Sequence, residues 1–139
     1  MTQRQVSDLV RHRNPVTLPP TASVQDACRT MRERRVGAVL VVEGGRLAGI
    51  FTGRDAVCRV LAEGKDPART RLAEVMTAEP TVTSPRCPAI DALRLMQDAG
   101  HRHLPVIDAE RLVGCISRGD FRGLEHARLD EETGLWERL

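Results

Sequence analysis

The sequence predicts a mixed α/β (α+β) fold made of two copies of one unit, each with the element order β-α-β-β-α. The main observation is an internal duplication: an offset of 65 residues aligns Asp26 with Asp91 and Gly49 with Gly114, with nine identities over residues 26–55. In both copies, helical spacing of apolar residues is followed by two strand-like runs. One copy of about 60 residues would be marginally stable alone, so we expect the copies to share a core.

Each element of the first copy has its own signal. A short extended segment at 16–18 precedes a proline-rich turn. In "SVQDACRTMRER" the apolar residues have helical spacing, and Ser23 with Asp26 resembles the start of a capping box. The run "GAVLVVEGGRLAGIF" places two apolar stretches around the glycines at 44–45, which predicts a β-hairpin. A second helix is predicted from about 53 to 61.

The second copy repeats these signals with different residues. An extended segment at 81–83 precedes "PAIDALRLMQDAG", where Pro88 suits the first turn of a helix and Gly100 suits its end. The run "HLPVIDAERLVGCIS" turns at 108–110, and a helix is predicted from about 119 to 127. Apolar runs such as "AVLVV" predict strands covered on both faces, so we expect the copies to pack sheet to sheet about a pseudo-twofold axis.

We expect a first domain at 6–66, a second at 70–127 and a C-terminal tail at 128–139. The lead-ins "VSDLV" (6–10) and "LAEVM" (72–76) resemble each other at an offset of 66 residues. The tail, "RLDEETGLWERL", combines acidic residues with leucines and the only tryptophan. This pattern predicts a short amphipathic segment that docks on its own subunit or on a partner subunit.

Composition argues against several classes of function. The net charge of +2 gives no strong attraction to nucleic acid, and two phenylalanines, one tryptophan and no tyrosine leave few platforms for stacking bases. The basic run "RTMRERR" at 29–35 fits the solvated face of a helix. No apolar stretch is long enough for a membrane span, and the N-terminus lacks a secretory signal, so a cytoplasmic location is predicted. Lys65 is the only lysine, a bias typical of GC-rich bacterial genomes.

No catalytic set or metal site is predicted. The chain has no G-x-S-x-G, no Walker loop and no cysteine with an assignable histidine partner. His101 and His103 could lie on one side of a strand, but no third metal ligand has a suitable spacing. The four cysteines form no C-x-x-C pair, and we expect buried, reduced thiols. They are Cys28, Cys58, Cys87 and Cys115.

Both copies place a hydroxyl residue three positions before an aspartate, in "GIFTGRD" (Thr52, Asp55) and "GCISRGD" (Ser117, Asp120). One interpretation is an ordinary helix N-cap with an acid at the third position. The other is a ligand site, because a helix start at the carboxyl edge of a strand favours phosphate. A carboxylate there can also accept both hydroxyl protons of a ribose diol. The residues leave both interpretations open, although the duplication kept the pair twice.

The combination resembles a pair of CBS (cystathionine β-synthase) domains, also called a Bateman module, over about residues 6–127. "GIFTGRD", "RHLPVID" and the two lead-ins carry the resemblance. It implies a stand-alone, non-catalytic sensor that binds an adenine nucleotide (AMP, ADP or ATP) in the clefts between the two domains. The alternatives are an interaction module with empty or vestigial clefts, a module for NAD or S-adenosylmethionine, and a nucleic-acid or metal-binding regulator.

The resemblance also implies the residues that contact the nucleotide. The aspartates would bind the ribose, the hydroxyl residues would lie by the ribose-phosphate, and Arg54 would bind phosphate. The start of the first hairpin would line the cleft, with Arg102 and His103 opposite it as basic residues near phosphate. Gly119 occupies the position that matches Arg54, so we expect unequal clefts. The full implied set is Thr52, Arg54, Asp55, Ser117, Asp120, Val36, Gly37, Ala38, Arg102 and His103.

The resemblance further implies a homodimer in which helices of the two chains pair to form a flat disc. Apolar stripes on three predicted helices are the candidate contacts, because they are too apolar to leave wholly in water. The candidates are Ala56, Val57, Val60 and Leu61; Phe121 and Leu124; and Ile90, Leu93 and Met96.

Overall fold

The computed structural model describes residues 4–10 and 15–121. Within these ranges the chain forms short and medium helices and six strands. In chain order they are α1 (Val6–Val10), β1 (Thr17–Leu18), α2 (Val24–Arg34), β2 (Ala38–Glu43), β3 (Arg46–Thr52), α3 (Gly53–Asp55), a π-helix (Ala56–Leu61), α4 (Leu72–Val75), β4 (Thr77–Ala78), α5 (Ala89–Ala99), β5 (His103–Asp108), β6 (Arg111–Ser117) and a 3-10 turn (Arg118–Asp120).

The chain divides into two compact units. In the described residues, one unit contains 15–80 and 110–112, and the other contains 4–10, 81–109 and 113–121. Each unit has its own cluster of buried apolar side chains. The mixed α+β class is confirmed. Sheet-to-sheet packing about a pseudo-twofold axis stays a prediction.

The unit of residues 15–80 contains a four-stranded sheet in the order β1-β2-β3-β4. β1 runs parallel to β2, and β2 pairs antiparallel with β3. The predicted hairpin turn is confirmed, because Gly44 and Gly45 have φ of 59° and 78°, the left-handed values of a two-residue type I′ turn. Every residue from Ala38 to Val41 is buried, so the "AVLVV" strand is covered on both faces as predicted.

The other unit contains β5 and most of β6, which pair as a hairpin. The extended segment predicted at 81–83 is reduced to one parallel bridge between Thr83 and Val106. The hairpin turns through Ala109 and Glu110, as predicted, with φ of 49° and 68°. Non-glycine residues occupy these left-handed positions, so the second hairpin has the backbone of the first without its glycines.

Local signals account for the helix ends. Ser23 Oγ accepts the Asp26 N–H at 3.0 Å at the start of α2, and Gly100 ends α5 with φ of 71°. The helix predicted at 53–61 is one turn of α-helix followed by a π-helix. Of the helix predicted at 119–127, the described part is a 3-10 turn ending at Asp120 and then Phe121, and the remainder lies outside the described residues. The tail at 128–139 also lies outside them.

Each of the two lead-in helices packs against the repeat that it does not precede. In α4, which precedes the second repeat, the Leu72 N–H donates to Ala22 O at 2.9 Å in the first repeat. In α1, which precedes the first repeat, the Val6 N–H donates to Cys87 O at 2.8 Å in the second. The compact units therefore do not coincide with the sequence repeats, since each contains the lead-in of the other.

This exchange explains the repeated glycine before each hydroxyl-Asp motif. A Cβ on Gly49 would lie 2.7 Å from the backbone oxygen of Thr77, in the segment after α4. A Cβ on Gly114 would lie 3.0 Å from the Val10 side chain at the end of α1. In both repeats a lead-in crosses the strand too closely for a side chain.

Part of the expected dimer surface was predicted wrongly, because several of its side chains are buried within the chain. Five candidate contacts are buried within their own units: Val60, Ile90, Leu93, Met96 and Phe121. Ala56 is half-buried against its own core. Val57 and Leu61 remain exposed, at 57% and 65%. Leu124 lies outside the described residues.

Two further findings concern the described chain as a whole. No described helix has the length and apolar character needed to cross a membrane. All four cysteines are free, but none is fully buried, and Cys58 is exposed. The expectation of buried thiols is therefore wrong for Cys58, because the residue lies on the outer face of the π-helix, next to exposed Val57.

Candidate functional site

The motif of the first repeat lies at the junction of β3 and α3. Thr52 is the last residue of the strand and the N-cap of the helix. Its N–H donates to Asp55 Oδ2 at 2.9 Å, and its Oγ1 accepts the Asp55 N–H at 3.2 Å. These reciprocal bonds form a complete capping box, so the capping interpretation is confirmed for this repeat. They also hold the hydroxyl and the carboxylate side by side.

The start of the first hairpin lies beside this motif. Ala38 pairs with Thr52 in the β2–β3 register, and the Gly53 N–H donates to Gly37 O at 3.1 Å. Val36, one residue earlier, is 37% exposed. The structure therefore brings the three predicted hairpin residues to the same end of the sheet as the predicted ribose and phosphate residues.

Arg54 is the one strong cation within the motif. Its side chain is exposed and makes no hydrogen bond or ion pair with the residues that the structure describes. An arginine of this kind at a helix start can bind a phosphate bidentately. Contact between Arg54 and phosphate stays a prediction.

Asp55 has a second partner that sequence analysis missed. Arg59 Nε lies 3.7 Å from Asp55 Oδ1, the carboxylate oxygen that the capping box does not use. The Arg59 guanidinium also donates to the carbonyls of Val75 and Met76, at 3.3 and 3.1 Å. The opposite charges four residues apart were a visible signal for the ion pair, although not for the carbonyl contacts.

The motif of the second repeat is similar but not identical. The Ser117 N–H donates to Asp120 Oδ2 at 2.7 Å, as in the first repeat. The Ser117 hydroxyl, however, donates to that same carboxylate oxygen at 3.4 Å. The Arg118 N–H donates to Arg102 O at 3.2 Å, which joins the motif to the start of β5.

The two basic residues predicted near phosphate belong to the unit of the second motif. Arg102 is exposed, while His103 is half-buried. Burial lowers the pKa of His103, the charge of Asp120 opposes this shift, and Arg102 adds to it. His103 therefore favours its neutral form, and Arg102 is the stronger candidate for an anion.

Arg118, which sequence analysis did not select, has a structural role. Its Nε donates to His101 O and its guanidinium also donates to Met96 O, both at 3.4 Å. Met96 O belongs to the last turn of α5 and also accepts the His101 N–H at 2.8 Å, so Arg118 adds side-chain contacts to a helix end that is already capped. The arginine that follows Ser117 is thus engaged with protein, whereas Arg54 in the first motif is not.

A metal site finds no support among the described residues. They contain no cluster of three or more histidine, cysteine or acidic side chains that could hold a metal ion.

Comparison with known proteins matches this chain to the CBS domain family model at residues 6–61 and 72–126. The CBS domain-containing protein YhcV of Bacillus subtilis is 38% identical over 105 residues, covering 76% of this chain and 74% of YhcV. Some plant relatives are much longer: CBSCBSPB3 of Arabidopsis thaliana is 37% identical, and the match covers 18% of its length.

Solved structures share the fold. A putative signal-transduction protein with CBS domains from Burkholderia ambifaria superposes with a TM-score of 0.81 at 31% identity, covering 94% of this chain and 97% of that one. The CBS domain protein PAE2072 from Pyrobaculum aerophilum, complexed with AMP, has a TM-score of 0.80 at 24% identity, covering 94% and 99%. The sequence matches and the superpositions agree, and the chain belongs to the CBS domain family, with two CBS domains in tandem.

Proposed function

We propose that this protein is a regulatory module that binds an adenine nucleotide (AMP, ADP or ATP) at its two hydroxyl-Asp motifs. It has no catalytic activity of its own and acts in the cytoplasm by changing shape or partner affinity with nucleotide occupancy. Its ten predicted contact residues divide between the motifs: the first has Val36, Gly37, Ala38, Thr52, Arg54 and Asp55, and the second has Arg102, His103, Ser117 and Asp120.

One observation carries the proposal: both repeats hold a hydroxyl and a carboxylate together at a strand end, next to the start of their own hairpin. In the first repeat this places the exposed Arg54 beside the Thr52–Asp55 pair. In the second repeat the exposed Arg102 is joined to the motif through the Arg118 N–H. A carboxylate can accept hydrogen bonds from ribose hydroxyls, and an arginine beside it can bind phosphate.

The surroundings also suit adenine. Val36 offers an exposed aliphatic surface beside backbone groups, which can hold a purine without aromatic stacking. The AMP complex of PAE2072 supports the choice of ligand class, because that protein has the same fold. The first site has an exposed arginine within the motif itself, where the second has Gly119, and should bind the more highly charged nucleotides more tightly than the second.

Isothermal titration calorimetry tests the proposal with AMP, ADP, ATP, NAD and S-adenosylmethionine. We expect binding of at least one adenine nucleotide by the wild type. Asp55→Ala and Asp120→Ala should each weaken one site by about tenfold or more, since a charge-assisted hydrogen bond contributes about 1.5–3 kcal/mol. Tighter binding of NAD or S-adenosylmethionine would show that one of these, and not AMP, ADP or ATP, is the ligand. If none of the five compounds gives a heat of binding or raises the melting temperature, nucleotide binding is contradicted.

A second candidate is a protein-interaction module whose motifs serve only as helix caps. The reciprocal Thr52–Asp55 bonds favour it, because they account for both side chains without a ligand. This candidate predicts that Asp55→Ala lowers stability by about 1 kcal/mol and changes no ligand affinity. A thermal-shift plate with and without nucleotide distinguishes the two candidates.

We also propose a homodimer that buries the exposed face of the π-helix. Val57 and Leu61 lie one helical turn apart and are more than half exposed, an arrangement that favours a partner surface. Self-association is known for a relative, since the CBS-CP12 protein of bloom-forming cyanobacteria, 30% identical, is hexameric. Light scattering should give twice the chain mass of 15.4 kDa. Val57→Glu should shift it to the monomer mass, and a wild-type monomer would contradict the dimer.

A further inference from the structure

Arg59 contacts three groups from different parts of the unit that contains residues 15–80. It lies 3.7 Å from Asp55 Oδ1 in α3. It also donates to Val75 O at the end of α4 and to Met76 O just before β4, at 3.3 and 3.1 Å. One guanidinium therefore connects the carboxylate of the hydroxyl-Asp motif with the segment that adds the fourth strand to the sheet.

The burial of Asp55 separates this contact from an ordinary surface ion pair. The Asp55 side chain is only 14% exposed, whereas the Arg69–Asp66 pair nearby has exposures of 88% and 57%. A partly buried charge depends more strongly on its partner, because solvent screens it less. Arg59 also lies within the π-helix, whose i→i−5 bond from the Ala62 N–H to Val57 O measures 2.9 Å. Such segments are frequent at functional sites.

The second repeat is built differently at this point. Leu124 occupies the position that matches Arg59 at the offset of 65 residues, so the guanidinium has no counterpart in the sequence of that repeat. In the second motif another arginine makes a contact: Arg4, two residues before α1, donates to the backbone oxygen of Asp120 at 3.4 Å.

We propose that Arg59 is a positioning residue that orients Asp55 for the ribose and couples occupancy of the first site to residues 75–78. This inference rests on the proposed nucleotide binding. The capping box fixes Asp55 Oδ2, and the charge of Arg59 attracts Oδ1 from 3.7 Å, so the two contacts favour one orientation of the carboxylate before a ligand arrives. When ribose hydroxyls donate to the carboxylate, they share its charge and weaken its attraction for Arg59. The guanidinium then shifts toward the Val75 and Met76 carbonyls, and the β4 segment responds.

The test compares nucleotide affinity in four single variants of the full chain. Arg59→Leu installs the residue of the second repeat and should weaken AMP or ATP binding at one site by about threefold to tenfold, the range of a coupling between neighbouring charges. Arg59→Lys keeps the charge and should recover part of that loss. Arg69→Leu removes an exposed ion pair of the same type and should bind like wild type. Asp55→Asn keeps the shape of the side chain but removes its charge.

A double-mutant cycle then shows whether Arg59 acts through Asp55. Adding Arg59→Leu to Asp55→Asn should weaken binding by less than twofold, because the charge that Arg59 orients is already gone. An equal loss in both backgrounds would overturn the positioning role. Hydrogen exchange provides the second measurement: nucleotide should change the exchange of the amides at 75–78 in wild type and Arg69→Leu, but not in Arg59→Leu.

The outcomes separate this inference from the proposed function. If wild type binds nucleotide and Arg59→Leu binds equally well, the role of Arg59 is overturned and the nucleotide site stands. If hydrogen exchange at 75–78 responds to nucleotide equally in wild type and Arg59→Leu, the coupling is overturned. If wild type binds none of the nucleotides, both proposals fail.

Discussion

Thr52 and Asp55 exchange two hydrogen bonds across the strand–helix junction, at 2.9 and 3.2 Å. In the second repeat the Ser117 backbone N–H donates to Asp120 at 2.7 Å, as in the first. The Ser117 side chain makes no capping hydrogen bond and instead donates to the Asp120 carboxylate at 3.4 Å. The two motifs therefore differ in what the hydroxyl does. In the first repeat it accepts a backbone N–H. In the second it donates to the acid.

This difference predicts unequal costs for removing the hydroxyls. Thr52→Ala removes the acceptor for the Asp55 N–H and should lower the free energy of unfolding by about 1 kcal/mol, the usual loss for an N-cap. Ser117→Ala removes a long hydroxyl–carboxylate contact and should cost about 0.5 kcal/mol or less. Urea denaturation of the two variants measures both. A larger loss for Ser117→Ala would show that the caps are not what distinguishes the repeats.

Close approach of the lead-ins predicts that the two motif glycines tolerate alanine unequally. Gly49→Ala should destabilise the protein by about 1–3 kcal/mol through overpacking, because its Cβ would meet the Thr77 backbone oxygen at 2.7 Å. Gly114→Ala should cost less, since its nearest neighbour is the Val10 side chain at 3.0 Å. Thermal unfolding of both variants, monitored by circular dichroism, tests the order. Equal melting temperatures would contradict it.

The residue that follows helix α2 has a backbone conformation that suits glycine. Arg35 has φ of 55°, and its match in the second repeat is Gly100, with φ of 71°. Arg35→Gly should raise the free energy of unfolding by about 0.5–1 kcal/mol, because glycine adopts left-handed values at little cost. The reverse change, Gly100→Arg, should lower it by about 1 kcal/mol. Urea midpoints give both values. Destabilisation by Arg35→Gly would show that the arginine makes a compensating contribution.

Burial predicts that the thiols differ in reactivity. Burial, and then the charge of Asp120, raise the pKa of Cys115 to about 12 from the ordinary 9.0, and burial also raises the pKa of Cys28. Native protein treated with a disulfide reagent at pH 8 should therefore react first at the exposed Cys58, since the thiolate is the nucleophile. Mass spectrometry of the labelled peptides identifies the site. Faster labelling at Cys115 would contradict its burial.

The same shift has a consequence for stability at high pH. A folded-state pKa above the unfolded value means that the unfolded chain loses the Cys115 proton first. The contribution to stability is therefore complete below about pH 9 and is lost progressively as pH rises toward 12. Cys115→Ala should remove this part of the alkaline loss, as seen in urea midpoints between pH 8 and pH 10.

The sequence by itself determined the repeated unit, the order of its elements and the residues of both motifs. These features are local: apolar spacing selects helix or strand, Gly44 and Gly45 supply the left-handed turn, and a hydroxyl three residues before an acid caps a helix. The same local rules predicted that β2 would be covered on both faces. The resemblance to CBS domains, and not these local rules, implied that Val36, Gly37, Ala38 and Arg54 share a site with Thr52; the structure pairs Ala38 with Thr52 in the β2–β3 register.

Only the tertiary structure decided which lead-in packs on which repeat, which apolar residues are buried, and what surrounds Asp55. The lead-ins share the same pattern of apolar and acidic residues, and this pattern does not distinguish the surface of their own repeat from that of the other. Val60 and Val57 have the same apolar character, yet one is 1% exposed and the other 57%. Arg59 meets the Val75 and Met76 carbonyls only because α4 ends beside the π-helix. Such contacts join segments distant in sequence, and their energies depend on packing geometry that periodicity does not encode.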